Sequence, residues 1–121
     1  MVVEDDEIVR ELFKRYLCIK GYQVTVACSG EEGLKLFSSG NFDLIIMDLS
    51  LTDMSGLDLS RRIKESDTHT RIILCSGSEL HQRQQELHAA GINAFLQKPV
   101  RMDDLSRVIE KSMEDVWQIR A

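Results

Sequence analysis

The sequence predicts an α/β fold: a doubly wound parallel sheet of five strands, each followed by a helix. Three observations carry this. Short apolar runs recur at residues 1–3, 22–27, 44–47, 72–75 and 94–96. The stretches between them repeat their apolar residues at helical spacing. The runs at 44–47 and 72–75 are apolar without alternation, as strands covered by helices on both faces must be.

Each element has its own justification. The first strand is short, because only Met1, Val2 and Val3 precede a run of acids. A strand commonly has about five or six residues, so a clipped first strand and a domain excised from a longer chain are expected. Ile8, Val9, Leu12, Phe13, Tyr16 and Leu17 form the stripe of the first helix, with Asp5 or Asp6 as its cap. Tyr22-Gln23-Val24-Thr25-Val26 alternates, which suits a sheet edge with one wetter face. Ser29 stands three residues before Glu32, a capping box for a helix carrying Leu34, Leu36 and Phe37. Gly56 opens a third helix through Ile63. The fourth, 79–90, offers only Leu80, Leu87 and alanines for burial, and reads as a solvated surface helix or as an element loosely held so that it can move. His81 and His88 on it are seven residues apart, about 10 Å along the axis, too far for one metal ion, and are read as surface residues. Pro99 follows the last strand, where it costs no ladder hydrogen bond. Leu105, Val108, Ile109, Met113 and Val116 form the last stripe. The whole span, 1–121, reads as one domain, with 115–121 as a tail or the start of a linker.

Composition narrows the function. Of 121 residues, 43% are apolar and 29% charged, the balance of an ordinary globule. The net charge of −5 disfavours phosphate backbones and anionic lipid heads, so neither nucleic acid nor membrane is expected as a partner. The apolar run 44–47 is far too short to span a bilayer. No charged-then-apolar leader is seen, and a cytoplasmic location is expected. Cys18, Cys28 and Cys75 have no metal-ligand spacing and read as reduced thiols.

In an open parallel sheet, ligands bind beyond the carboxyl ends of the strands. The first strand runs into Glu4-Asp5-Asp6, the third into Asp48, the fourth into Ser76-Gly77 and the fifth into Lys98-Pro99. Two carboxylates about 4 Å apart repel by roughly 4 kcal/mol at an effective dielectric near 20. Clustered acids therefore call for a cation. Oxygen ligands with no His or Cys nearby favour a hard ion such as Mg²⁺. Three carboxylates, one lysine and one divalent cation sum to no net charge, and an incoming phosphoryl group would meet no net repulsion.

The runs VVEDDE, DLIIMDLSLTDMSGLDL, ILCSG and FLQKPV, in that order and spacing, resemble the receiver domains of bacterial two-component response regulators over essentially the whole chain. The resemblance implies a (βα)₅ flavodoxin-like receiver fold with strand order 2-1-3-4-5. It implies Asp48 as the phosphoacceptor, with Lys98 and Ser76 as its catalytic companions. It implies Mg²⁺ held by Glu4, Asp5, Asp48 and the backbone carbonyl of Ser50, and a conformational switch through Ser76 and Phe95. The implied partners are a histidine kinase or phosphotransfer protein and a downstream output protein or domain. A homodimer through the face of helix four, strand five and helix five is a further option. Such a domain catalyses its own phosphorylation and dephosphorylation without being a conventional turnover enzyme. Hybrid sensor kinases also carry domains of this kind.

Several positions depart from the family pattern. Glu4 stands for the commoner Asp, Thr52 for Pro, and Ser55 for an acid; the latter two are expected to loosen the loop after Asp48. Gly77 stands for Ala and opens space over the site, and Phe95 lacks the hydroxyl of the common Tyr. The alternative reading is a pseudo-receiver, never phosphorylated, that serves only as a protein-binding module. An aspartate-nucleophile phosphatase would need an acid where Ser50 stands, and a flavin carrier would need a Ser/Thr/Gly-rich loop where the acids stand.

Overall fold

The structure is a computed structural model that describes residues 1–77 and 80–120, with side chains through Met113. The strands are β1 (Val2–Val3), β2 (Val26–Ala27), β3 (Leu44–Asp48), β4 (Arg71–Ser76) and β5 (Ala94–Gln97). They form one parallel sheet in the order β2-β1-β3-β4-β5, as predicted. The helices are α1 (Glu7–Ile19), α2 (Gly30–Ser38), α3 (Gly56–Ser66), α4 (Gln84–Ala89) and α5 (Met102–Arg120).

Alternate residues of each strand point to opposite faces, and this divides the core in two. Val3, Ile45, Met47, Ile72 and Leu74 pack with Leu59 and Ile63 of α3 and with Leu34 and Phe37 of α2. Val2, Ile46, Ile73 and Cys75 pack on the other face with Phe13 and Leu17 of α1 and with Leu105 and Ile109 of α5. α4 adds Leu87 to the first layer, beside Leu80 of the preceding loop. The unalternating runs of the sequence are thus strands buried on both sides.

The structure corrects several boundaries. The strand expected over 22–27 pairs only at Val26 and Ala27, since β1 offers just Val2 and Val3 as ladder partners. The Thr25 carbonyl still accepts the Val2 N–H at 2.8 Å. The third helix runs three residues past Ile63, to Ser66. The helix expected over 79–90 is instead a single 3-10 turn, His81–Arg83, followed by the six residues of α4; among the described residues, neither start has a side-chain cap. Glu79, its expected first residue, and the Val116 side chain lie outside the described residues. Two helix starts agree with the capping signals. Asp6, rather than Asp5, caps α1 by accepting the N–H groups of Ile8 and Val9. Ser29 caps α2 by accepting from Glu32 at 3.1 Å, but the Glu32 carboxylate reaches the N–H of Cys28 rather than that of Ser29. Among the described residues, no helix is long and apolar enough to cross a membrane. The three cysteines are free, Cys18 and Cys28 exposed and Cys75 buried.

Candidate functional site

The acids come together because β1 and β3 are adjacent and parallel. Val3 pairs with Met47, so the residues after each strand emerge at the same edge of the sheet. Carboxylate oxygens of Glu4, Asp5 and Asp48 all lie within 4.8 Å of one another. Glu4 and Asp48 are buried, 4% and 7% exposed. The backbone holds them there. The Glu4 N–H donates to the Ala27 carbonyl at 3.0 Å, and Arg10 on α1 donates through Nη1 to the Glu4 carbonyl at 2.9 Å. Beyond Asp48, the Leu49 N–H donates to the Cys75 carbonyl and the Gly56 N–H to the Leu49 carbonyl. A side chain on Gly56 would collide with the Asp48 carbonyl and with Leu74, so glycine is what lets α3 start against the end of β3.

Lys98 completes the cluster. It follows β5, and its backbone N–H donates to the Ser76 carbonyl at 2.7 Å. Its Nζ lies 3.1 Å from Asp48 Oδ1 and 3.7 Å from Glu4 Oε1. Ser76, the last residue of β4, is buried beside Cys75.

The electrostatics arise from this crowding. Burial, and next the Asp48 carboxylate, push the Glu4 carboxyl up to about 7, with Lys98 acting in the opposite sense. Burial works against the Lys98 ammonium, but the hydrogen bond to Asp48 and the two carboxylates outweigh it and hold its proton more firmly than usual. Burial pushes the Cys75 thiol up to about 12, which makes it an inert packing residue rather than a nucleophile.

One ammonium does not neutralise three carboxylates. The oxygen-only donor set, open to solvent at Asp5, fits a hard divalent ion that keeps part of its water shell. Ser50, itself exposed, lies two residues past Asp48 and forms an isolated antiparallel bridge with Ser55. Among the described residues, a Cβ on Gly77 would meet nothing within 4 Å. Phe95 sits on β5 opposite Leu74, half-buried against the first core layer. Its ring meets His81 edge-on at 5.2 Å. His81 is exposed as expected, yet it has this aromatic partner, which no periodicity in the sequence indicates.

Ser55 caps α3 by accepting the Asp58 N–H at 3.1 Å, and Leu51 is buried. Asp53, which no sequence pattern singles out, accepts from the N–H groups of Gly30 and Glu31 at 2.9 and 2.8 Å. Its only signal in the sequence is an acid in a loop.

Five parallel strands with helices on both faces, and an acid cluster with a lysine at their carboxyl edge, define a receiver domain. The chain belongs to the response regulator receiver domain family, which matches residues 1–110. It is 31% identical over 105 residues to the cell cycle transcriptional regulator CtrA of Caulobacter vibrioides, covering 87% of this chain and 46% of that protein. It is 33% identical over 122 residues to the transcriptional regulatory protein DltR of Streptococcus agalactiae, covering 100% of this chain and 54% of that one. The chain thus spans about half the length of these curated relatives. A 33% identity over 109 residues links it to the autoinducer 1 sensor kinase/phosphatase LuxN of Vibrio campbellii, over 90% of this chain and 13% of that protein. Among solved structures, a response regulator receiver domain protein from Clostridium thermocellum superposes with a TM-score of 0.89 at 28% identity, covering 98% of this chain and 95% of that one. The response regulator TrrA from Thermotoga maritima, in complex with Mg²⁺ and BeF, gives 0.83 at 32% identity, covering 92% and 95%.

Proposed function

We propose that this receiver domain accepts a phosphoryl group on Asp48 from a phosphohistidine of a histidine kinase or phosphotransfer protein. The observation that carries the reading is the cluster itself: three carboxylates within 4.8 Å of one another, and one ammonium 3.1 Å from Asp48. In such transfers, positioning and charge neutralisation do most of the work. A carboxylate oxygen of Asp48 forms the new bond to phosphorus while the P–N bond of the phosphohistidine breaks. The electron pair of that bond goes to the departing imidazole, which leaves neutral because the phosphohistidine ring already carries a proton on its other nitrogen. Lys98 holds one phosphoryl oxygen, and the Ser76 hydroxyl donates to another. Glu4, Asp5, Asp48 and the Ser50 carbonyl would hold Mg²⁺, which when bound supplies positive charge to the transferring group. The product is an acyl phosphate that water later hydrolyses, so the chain acts as a self-modifying switch rather than a turnover enzyme.

Signalling then passes through Ser76 and Phe95. As the Ser76 hydroxyl turns toward the phosphoryl group, Phe95 moves inward and His81 and α4 move with it. The surface of α4, β5 and α5 is presented to an output protein or domain, or to a second copy. A phosphohistidine donor implies a cytoplasmic setting, where ATP is available to the kinase.

The test is labelling by acetyl phosphate, read by intact mass. Wild type should gain one phosphoryl group only when Mg²⁺ is present, and Asp48→Asn none. Full labelling of the variant would remove Asp48 from this role. A wild type that neither labels nor binds Mg²⁺ would leave the pseudo-receiver reading.

A further inference from the structure

We propose that Asp53 is a positioning residue for the acidic site, holding the segment between β3 and α3 against the first turn of α2. The inference rests on the phosphoacceptor reading of that site and extends it to a residue outside the acid cluster.

The segment 49–55 includes Ser50, two residues from Asp48, and must keep one shape if its carbonyl is to serve the site. Its ends are held from within the sheet and α3, by the Leu49 N–H on the Cys75 carbonyl and the Gly56 N–H on the Leu49 carbonyl. Its middle is held from outside. Both Asp53 oxygens are engaged, Oδ1 by the Gly30 N–H and Oδ2 by the Glu31 N–H. These are two of the N–H groups that a helix start leaves without intrahelical partners. Ser29 takes the next one, from Glu32. Met54 adds a packing contact, because a Cβ on Gly30 would lie 2.5 Å from Met54 Cγ, so α2 and the loop touch with no room between them. The grip is charge-assisted: the two backbone N–H groups hold the Asp53 carboxyl below its usual range. A loop without the family's usual proline at Thr52 is thereby pinned by a carboxylate whose partners lie more than twenty residues earlier in the chain.

A residue that merely stabilises α2 would behave like Ser29, which caps the same helix through the Glu32 N–H. A residue acting only through its charge would behave like its exposed neighbour Glu31. The experiment measures Mg²⁺ affinity by calorimetry at constant ionic strength, and melting in EDTA, for wild type, Asp53→Ala, Ser29→Ala and Glu31→Gln. Partners that orient metal ligands typically change affinity by about 10-fold or more when removed. Asp53→Ala should therefore weaken Mg²⁺ binding about 10-fold. Ser29→Ala should lower the melting temperature in EDTA and leave the affinity within about twofold of wild type, and Glu31→Gln should change neither. Asp53→Ala binding Mg²⁺ like wild type, or Ser29→Ala or Glu31→Gln weakening it equally, would overturn the positioning role. Failure of wild type to bind Mg²⁺ would overturn the phosphoacceptor reading itself, and the positioning role with it.

Discussion

The Nζ of Lys98 stands 3.1 Å from Oδ1 of Asp48, and it is the same ammonium that Glu4 Oε1 faces at 3.7 Å. One cation from the end of β5 thus serves carboxylates at the ends of two other strands. Removing it leaves buried acids without their protein counter-charge.

Lys98→Met should therefore slow labelling of Asp48 sharply. Loss of one preorganised donor to developing charge typically costs about 100-fold in rate. Labelling by acetyl phosphate at saturating Mg²⁺ should fall by that order while far-ultraviolet circular dichroism stays native. An unchanged rate would take Lys98 out of the chemistry.

Mg²⁺ should stabilise the fold. A ligand that binds only the native state at 100 times its Kd adds about 2.7 kcal/mol. In a domain of this size that amounts to a rise of several degrees in Tm. Asp5→Asn, which removes the most exposed member of the trio, should abolish most of the rise. Scanning calorimetry with and without EDTA decides it, and an equal rise in the variant would exclude Asp5 from the metal site.

Gly56→Ala tests the close approach of α3 to the end of β3. The added methyl group would collide with the Asp48 carbonyl and with Leu74. Overpacking of this kind costs about 1–3 kcal/mol. Urea unfolding should show that loss, and because Asp48 itself is displaced, labelling should slow as well. A variant as stable and as reactive as wild type would mean that the backbone relaxes freely there.

Asp67 supplies a pH dependence remote from the site. Its carboxylate accepts the His69 N–H at 2.7 Å and the Thr70 hydroxyl at 2.9 Å, and these partners hold its carboxyl below the usual range. A depressed folded-state value means that the unfolded chain binds the proton more readily. The stabilisation is fully present above the ordinary aspartate value of about 3.9 and is lost as pH falls through the lower folded value. Melts between about pH 2 and pH 6 should show wild type and Asp67→Asn converging at the acid end. A constant gap across that range would contradict the assignment.

Much of this was legible in the sequence, for identifiable reasons. β3 and β4 are buried on both faces, so their apolar runs needed no alternation to be recognised. The caps at Asp6 and Ser29 are short-range devices, written within a few residues of the helices they start. The convergence of Glu4, Asp5 and Asp48 is a consequence of a parallel sheet, in which every strand delivers its last residue to one edge. β2 was overestimated because an alternating pattern states what a strand would bury, not whether a neighbour is long enough to pair with it. The helix over 79–90 was overestimated because helical spacing with two leucines does not supply a cap or a buried face for a longer helix.

The parallel α/β architecture and the residues at its carboxyl edge can be read from the amino-acid order alone, since periodicity, run length and helix caps are local or nearly local properties. That Asp53 grips the start of α2 and that His81 meets the ring of Phe95 follow from tertiary packing alone. Those contacts join segments whose separation along the chain carries no periodic signal. They exist because packing two helical layers on a twisted sheet brings particular loop atoms within hydrogen-bonding reach.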